Sequence, residues 1–191
     1  MGIIVKEDLV GLGQPWTRLH RRVYDHPGAI VDLGCASWDW SQRFFFGKQH
    51  VVGVDPFETD PDIEGVDLFQ GVVTSVRGQV LVSREGIGSS TRSPVGAVAV
   101  ESITLADLLA RYSIDQVAAL KINTEGSEYE ILIHLTDQEI ERIDQIAVSF
   151  HDFKGIGSPG AVEAVRGFLS RWYDVASIDA RWSWYLFVKK N

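Results

Sequence analysis

Residues 29–44, AIVDLGCASWDWSQRF, decide how the rest of the chain is read. AIVDL is an apolar run with β-branched residues, the pattern of a strand buried on both faces. It closes on an acid, Asp32, and a glycine, Gly34. SQRFFF then reads as a short helix with Ser41 as its cap. A buried strand, a glycine turn and a helix open a nucleotide-binding unit. Loops that hold a pyrophosphate carry two or three glycines, so that backbone can approach both phosphates. Here Trp38 and Asp39 stand where the later glycines would be. That argues against a dinucleotide and for a cofactor without phosphates.

The pattern repeats outward from this stretch. HVVGVDPF (50–57) is a second buried strand, stopped by Pro56. DLFQGVVTS (67–75) and GQVLVSRE (78–85) read as strands. VAVESITLADLLARYS (98–113) reads as a strand and then a helix, with Thr104 and Asp107 spaced as a capping box. QVAALKINTEG (116–126) is a buried strand with an abrupt polar end. SEYEILIHL and TDQEIERI are helical, and QIAVSFHDF (145–153) is another strand. AVEAVRGFLSRW (161–172) has helical spacing at Val162, Val165 and Leu169, and residues 173–190 close as two strands. Strands alternating with helices predict an α/β fold with a mainly parallel sheet covered on both faces. The last two strands have no helix between them, so one antiparallel strand is expected near the C-terminus. GIGSSTRSPVG (86–96) is the one long irregular stretch and is expected to lie over a site.

Composition bounds the function. The 191 residues suit one domain, and 45% apolar with 23% charged residues is the balance of a globular protein. A net charge of −8 repels a phosphate backbone and argues against a nucleic-acid substrate. Cys35 is the single cysteine, which excludes an intrachain disulfide and fits a reducing compartment. No apolar run reaches the roughly 20 residues that span a bilayer. MGIIVKEDLVGLG lacks a signal-peptide layout, so a cytoplasmic location without membrane attachment is expected. RLHRR (18–22) is read as a solvated helix face.

In such a sheet ligands gather at the carboxyl ends of the strands. The residues there are Asp32, Gly34 and Ser37 after the first strand and Asp55 after the second. Asn123 and Glu125 follow the KIN strand, and Ser149, His151 and Asp152 follow QIAVS. Gly34 lets backbone approach a ligand. Asp55 could accept hydrogen bonds from both hydroxyls of a ribose. Glu128 and Glu130 are read as charges that complement a helix N-terminus.

These stretches carry a resemblance. VDLGCASWDWSQRF, VVGVDPFE, ITLADLLARY and LKINTEGSEYEIL, in that order, resemble the motifs of the FkbM family of methyltransferases, and GIGSSTR resembles that family's G-x-S-S element. The match covers residues 29–153, and KINTEGSEYEIL is its specific part. The resemblance implies S-adenosylmethionine as cofactor and a hydroxyl as methyl acceptor. It also implies a single-domain, Rossmann-like, seven-stranded methyltransferase sheet over 29–191, with 1–28 as a helical or irregular lead-in. Asp32 and Gly34 fall on its first cofactor motif, Asp55 on its ribose-binding acid, and Asn123 on the group near the methionine portion. Trp38 replaces a glycine of that family and Asn123 its common aspartate. Trp38 is expected to point away from the cofactor channel, its indole N–H finding a partner. The acceptor-binding extensions of larger members are missing, which leaves the acceptor site shallow or completed by a second copy in a homo-oligomer. The acceptor itself is a small molecule or a glycan.

Methyl transfer is an in-line displacement, so positioning does much of it, and a hydroxyl acceptor also benefits from a base. His151 is the expected base, because neutral imidazole titrates in the useful range, with Asp152 or Glu125 to orient it. The same three residues offer ligands to a divalent metal, without a diagnostic spacing. Two other readings stay open. Trp38 and Asn123 suit a module that kept the fold and lost catalysis. VDLGCASWDWSQ is also similar to the D-L-G-x-A-P-G-G-W-S-Q element of FtsJ-type RNA ribose methyltransferases, against which stand the acidic charge and the EGSE element.

Overall fold

The structure, a computed structural model, describes residues 4, 6–11, 17–85, 88–90, 96–155 and 158–190. Most of the loop 86–96 that was expected over a site lies outside the described residues. In chain order the strands and helices are β1 (Leu9–Gly11), β2 (Arg18–His20), β3 (Ala29–Leu33), α1 (Gln42–Phe45), β4 (Val51–Val54), β5 (Val66–Phe69), β6 (Val72–Val73), β7 (Gly78–Glu85), β8 (Gly88–Ser90) and β9 (Val98–Ile103). There follow α2 (Leu105–Arg111), β10 (Val117–Ile122), α3 (Glu128–Ile133), α4 (Asp137–Arg142), β11 (Gln145–Ser149), α5 (Pro159–Leu169), β12 (Tyr173–Asp179) and β13 (Trp184–Lys189).

Seven strands form the main sheet in the order β12-β13-β11-β10-β3-β4-β5. All are parallel except β13, which runs antiparallel to both of its neighbours. The chain starts in the middle at β3, builds outward through β4 and β5, and returns to β10 on the other side. The strand order therefore reverses beside β3, and a crevice opens there at the carboxyl ends. Every residue of β3, β4, β10 and β11 is buried, as continuous apolar runs require in a sheet covered on both faces.

On one face Val31, Leu33, Val52, Leu120, Ile122 and Val148 pack against α2 to α5. Val162, Val165 and Leu169 of α5 supply the buried stripe that their spacing predicts. Capping boxes start two of these helices, Thr104 with Asp107 and Thr136 with Glu139, and Ser158 caps α5 ahead of Pro159. On the other face Ile30, Val51, Ala119 and Ala147 meet Leu19, Val23, Trp38, Trp40 and Phe45. No helix of the described residues is long and apolar enough to cross a membrane.

Three local readings change. The lead-in, expected to be helical or irregular, contains an antiparallel ribbon, β1 with β2, and two 3-10 turns among its described residues. Within RLHRR, Leu19 is fully buried and Arg22 pairs with Asp144 at 2.8 Å, so the segment is partly built into the fold. DLFQGVVTS breaks at Gln70–Gly71: β5 stays in the main sheet, while β6 joins a smaller sheet of order β6-β9-β7-β8. That smaller sheet sits between β5 and β10 in the chain.

Candidate functional site

Two turns build the site, one after β3 and one after β10. In the first, Gly34 takes φ +77, and a Cβ there would lie 2.1 Å from the Asn123 carbonyl oxygen of the second. Glycine is therefore required both by the backbone angle and by the contact. Under this turn Asp32 is fully buried on the sheet face opposite α2 to α5. Its register partner on β10 is Lys121, whose ammonium sits 2.8 Å from Asp32 Oδ1 and also donates to the Gly34 carbonyl. Ser41 donates to Asp32 Oδ2 at 2.9 Å rather than capping α1. A buried lysine needs such partners, and here they tie the Gly34 backbone to the sheet.

Ser37 and Trp38 adopt φ +61 and +55, in the left-handed region that glycine usually fills, at a cost of about 1 kcal/mol each. Trp38 thus keeps the backbone shape while its indole leaves the crevice. The ring packs on Gly53 of β4, where a Cβ would come within 2.3 Å of it, and its N–H donates to the Thr59 carbonyl at 3.2 Å. Its edge meets Phe46. Trp40 is packed with Phe45. Cys35 is buried, and burial pushes its thiol well up.

A cavity opens at the carboxyl ends of β3, β4 and β10. Gly34, Asp55, Thr124 and Ser127 line it on the main-sheet side, and Gly71 together with Val72, Val73 and Val82 of the smaller sheet closes it. Asp55 accepts the Phe57 N–H at 2.9 Å; burial raises its carboxyl above the usual range against the pull of that bond. Thr124 Oγ1 is buried and has no hydrogen-bond partner among the described residues.

Of the five residues expected at a cofactor, Gly34 and Asp55 line this cavity. Asp32 braces the turn from beneath, and Ser37 is exposed beside it with its N–H on Glu58. Asn123 stands next to the cavity: its N–H donates to the Leu33 carbonyl, and its own carbonyl meets Gly34. The wall at that level is Thr124 and Ser127, which a reading by strand ends passed over.

The second turn is organised by Glu128, the first residue of α3, which the sequence suggested only as a helix-terminus charge. Its carboxylate is fully buried. Oε1 accepts from the Thr124 N–H at 3.1 Å, Oε2 from the Gly126 N–H at 2.8 Å, and His151 Nδ1 sits 2.6 Å from Oε1. The spacing alone, Glu125 to Glu128, offered no signal for this, because His151 arrives from another strand. Glu125 takes φ +55 and places Oε1 3.5 Å from His151 Nε2, with Lys154 on its other oxygen.

The charges settle accordingly. Burial alone would lower the His151 imidazole, but the hydrogen bonds and charges of Glu125 and Glu128 outweigh it and hold its pKa up at about 9. Burial alone would raise the Glu125 carboxyl, yet His151 and Lys154 bring it down to about 2. At neutral pH His151 is therefore an imidazolium between two carboxylates, which differs from the neutral base expected from sequence. Its ring nitrogens are held by Glu128 and Glu125, and Asp152 is half-buried alongside. Among the described residues no group of three or more His, Cys, Asp or Glu side chains is arranged to hold a metal ion, His151, Asp152 and Glu125 included.

Comparison with known proteins bears on the same residues. The family model of the methyltransferase FkbM domain matches residues 37–172. A crystal structure of methyltransferase FkbM from Methylobacillus flagellatus superimposes with a TM-score of 0.55 at 16% identity. The match covers 84% of this chain and 43% of that one, so the likeness is one of fold and spans under half the length of the larger protein. No curated protein gives a significant match.

Proposed function

The chain belongs to the FkbM methyltransferase family, and on that premise we propose that it transfers a methyl group from S-adenosylmethionine to a hydroxyl of a small molecule or glycan. The observation that carries the reading is Asp55: a cavity-lining carboxylate at the end of β4, beside the point where the strand order reverses. Burial disfavours its charge, and the two hydroxyl donors of a ribose would restore it.

The other residues fit the same group. Gly34 leaves its turn without a side chain at the cavity. Thr124 Oγ1 lacks a partner that a polar ligand atom would supply. Val54, Val72, Val73 and Val82 give an apolar wall for a flat base. The cofactor, when bound, supplies a methyl group on a cationic sulfur. The chain's part is to hold and dry that group and to orient the acceptor. Glu125 is ionised and partly exposed, so it can accept a hydrogen bond from an acceptor hydroxyl, with His151 holding it in place. The position of the Trp38 indole on Gly53, out of the cavity lining, speaks against a module that has lost its cofactor site. The single cysteine suits a cytoplasmic setting.

Calorimetry with S-adenosylhomocysteine tests the reading. Wild-type protein should bind, and Asp55→Ala should weaken binding at least about tenfold, since a hydrogen bond to a charged group contributes about 1.5–3 kcal/mol. An unchanged dissociation constant in Asp55→Ala would refute the assignment, and absence of binding by the wild type would favour the degenerate module. Labelled S-adenosylmethionine with a panel of hydroxyl compounds then identifies the acceptor.

A further inference from the structure

We infer that Thr124 is a cofactor contact and that Glu128 is the positioning residue that sets it there, acting through the turn backbone and His151. The inference rests on the cofactor reading above. Thr124 lines the cavity, and its hydroxyl is buried and has no hydrogen-bond partner among the described residues. Buried hydroxyls are seldom left unpaired, so this one points to a ligand atom.

The hydroxyl is where it is because the turn is forced. Glu125 at φ +55 and Gly126 at φ +127 reverse the chain between β10 and α3. A non-glycine residue holds the left-handed region only when its surroundings fix it. Glu128 does the fixing. One carboxylate gathers the N–H of Thr124, the N–H of Gly126 and the Nδ1 of His151. Two of these bonds close the turn on itself, and the third anchors it to the end of β11. The groups facing His151 are Glu128 from α3 and Glu125 from the turn, the latter also held by Lys154; Asp152 adjoins it in the chain. Without its proton, His151 keeps one N–H, which Nδ1 can still donate to Glu128, but it loses the charge that both carboxylates face, and the anchor of the turn weakens.

Two variants test this by calorimetry with S-adenosylhomocysteine across pH. Thr124→Val keeps the β-branched shape and the N–H that Glu128 accepts, and removes only the hydroxyl. It should bind about tenfold more weakly at unchanged melting temperature. Glu128→Gln keeps the volume, opposes an amide N–H to one turn N–H, and removes one of the two charges that hold the imidazolium. Wild-type affinity should persist until pH passes about 9, where His151 loses its proton. In Glu128→Gln the affinity should be weaker and the break should move to lower pH. A merely structural Glu128 would lower the melting temperature and leave both affinity and break in place, and that result overturns the positioning role. Thr124→Val binding as tightly as wild type overturns the contact, and it decides alone if Glu128→Gln does not fold. A wild type that fails to bind overturns the cofactor reading and this inference together; variants that match a binding wild type overturn only the latter.

Discussion

The turns after β3 and β10 stand side by side at the carboxyl end of the sheet, and both carry non-glycine residues in the left-handed region, yet different forces hold them. In the first turn Trp38 is fixed by packing, its ring against Gly53 and its N–H on a backbone carbonyl. The charges beneath it, Asp32 and Lys121, form a buried ion pair in the sheet. In the second turn a single carboxylate gathers the backbone, and its anchor is a histidine that titrates. The first turn is therefore held chiefly by contact between the Trp38 ring and backbone. The second is bound to the charge on His151. A shape held by packing changes with volume, and a shape held by ionised hydrogen bonds changes with protonation.

The comparison can be broken where the two turns touch. Gly34→Ala places a Cβ 2.1 Å from the Asn123 carbonyl and an L-residue at φ +77. The overlap is with backbone, which cannot swing aside as a side chain can. Urea unfolding should show a loss of about 4 kcal/mol or no folded protein. A loss under about 1 kcal/mol would mean that the turns do not meet this way.

A second, somewhat smaller effect isolates the charge. The folded His151 pKa lies above its ordinary value of 6.5, at about 9. The stabilisation is thus fully present below pH 6.5 and is lost as pH rises through about 9, and it amounts to roughly 3 kcal/mol. Unfolding free energies at about pH 6 and about pH 10 should differ more in the wild type than in His151→Gln by that margin. Parallel profiles for the two proteins would remove the charge from the second turn.

The smallest effect sharpens the packing side. Gly53→Ala drives a methyl into the Trp38 ring, a side chain that can shift, and should cost about 2 kcal/mol. Combined with Trp38→Ala the losses should fall short of additive by at least about 0.5 kcal/mol. Strict additivity would show that the indole does not rest on Gly53.

Much of the fold was legible because local patterns and global topology agree. Continuous apolar runs marked β3, β4, β10 and β11, and Thr104 with Asp107 marked the start of α2. Two glimpses of the site came the same way: Gly34 and Asp55 sit at strand ends, and strand ends can be found from hydropathy. Asp32 and Ser37 sit at the same strand end but do not line the cavity, because which strand-end residue faces it depends on the turn's backbone angles. Glu128 was passed over because its meaning depends on His151, which arrives from β11. Thr124 was passed over because nothing in KINTEG distinguishes the residue that lines the cavity from the amide beside it.

By itself, then, the sequence determined the alternation of strands and helices, the antiparallel closing strand, and the acid and glycine at the ends of the second and first strands. These follow from hydrophobic periodicity and the few conformations that a backbone permits. Tertiary structure alone decided that the smaller sheet closes the cavity, that the expected outward turn of Trp38 lands its ring on Gly53, and that His151 is charged. Each of those depends on groups far apart in the chain, and burial and electrostatics act through space rather than along the sequence.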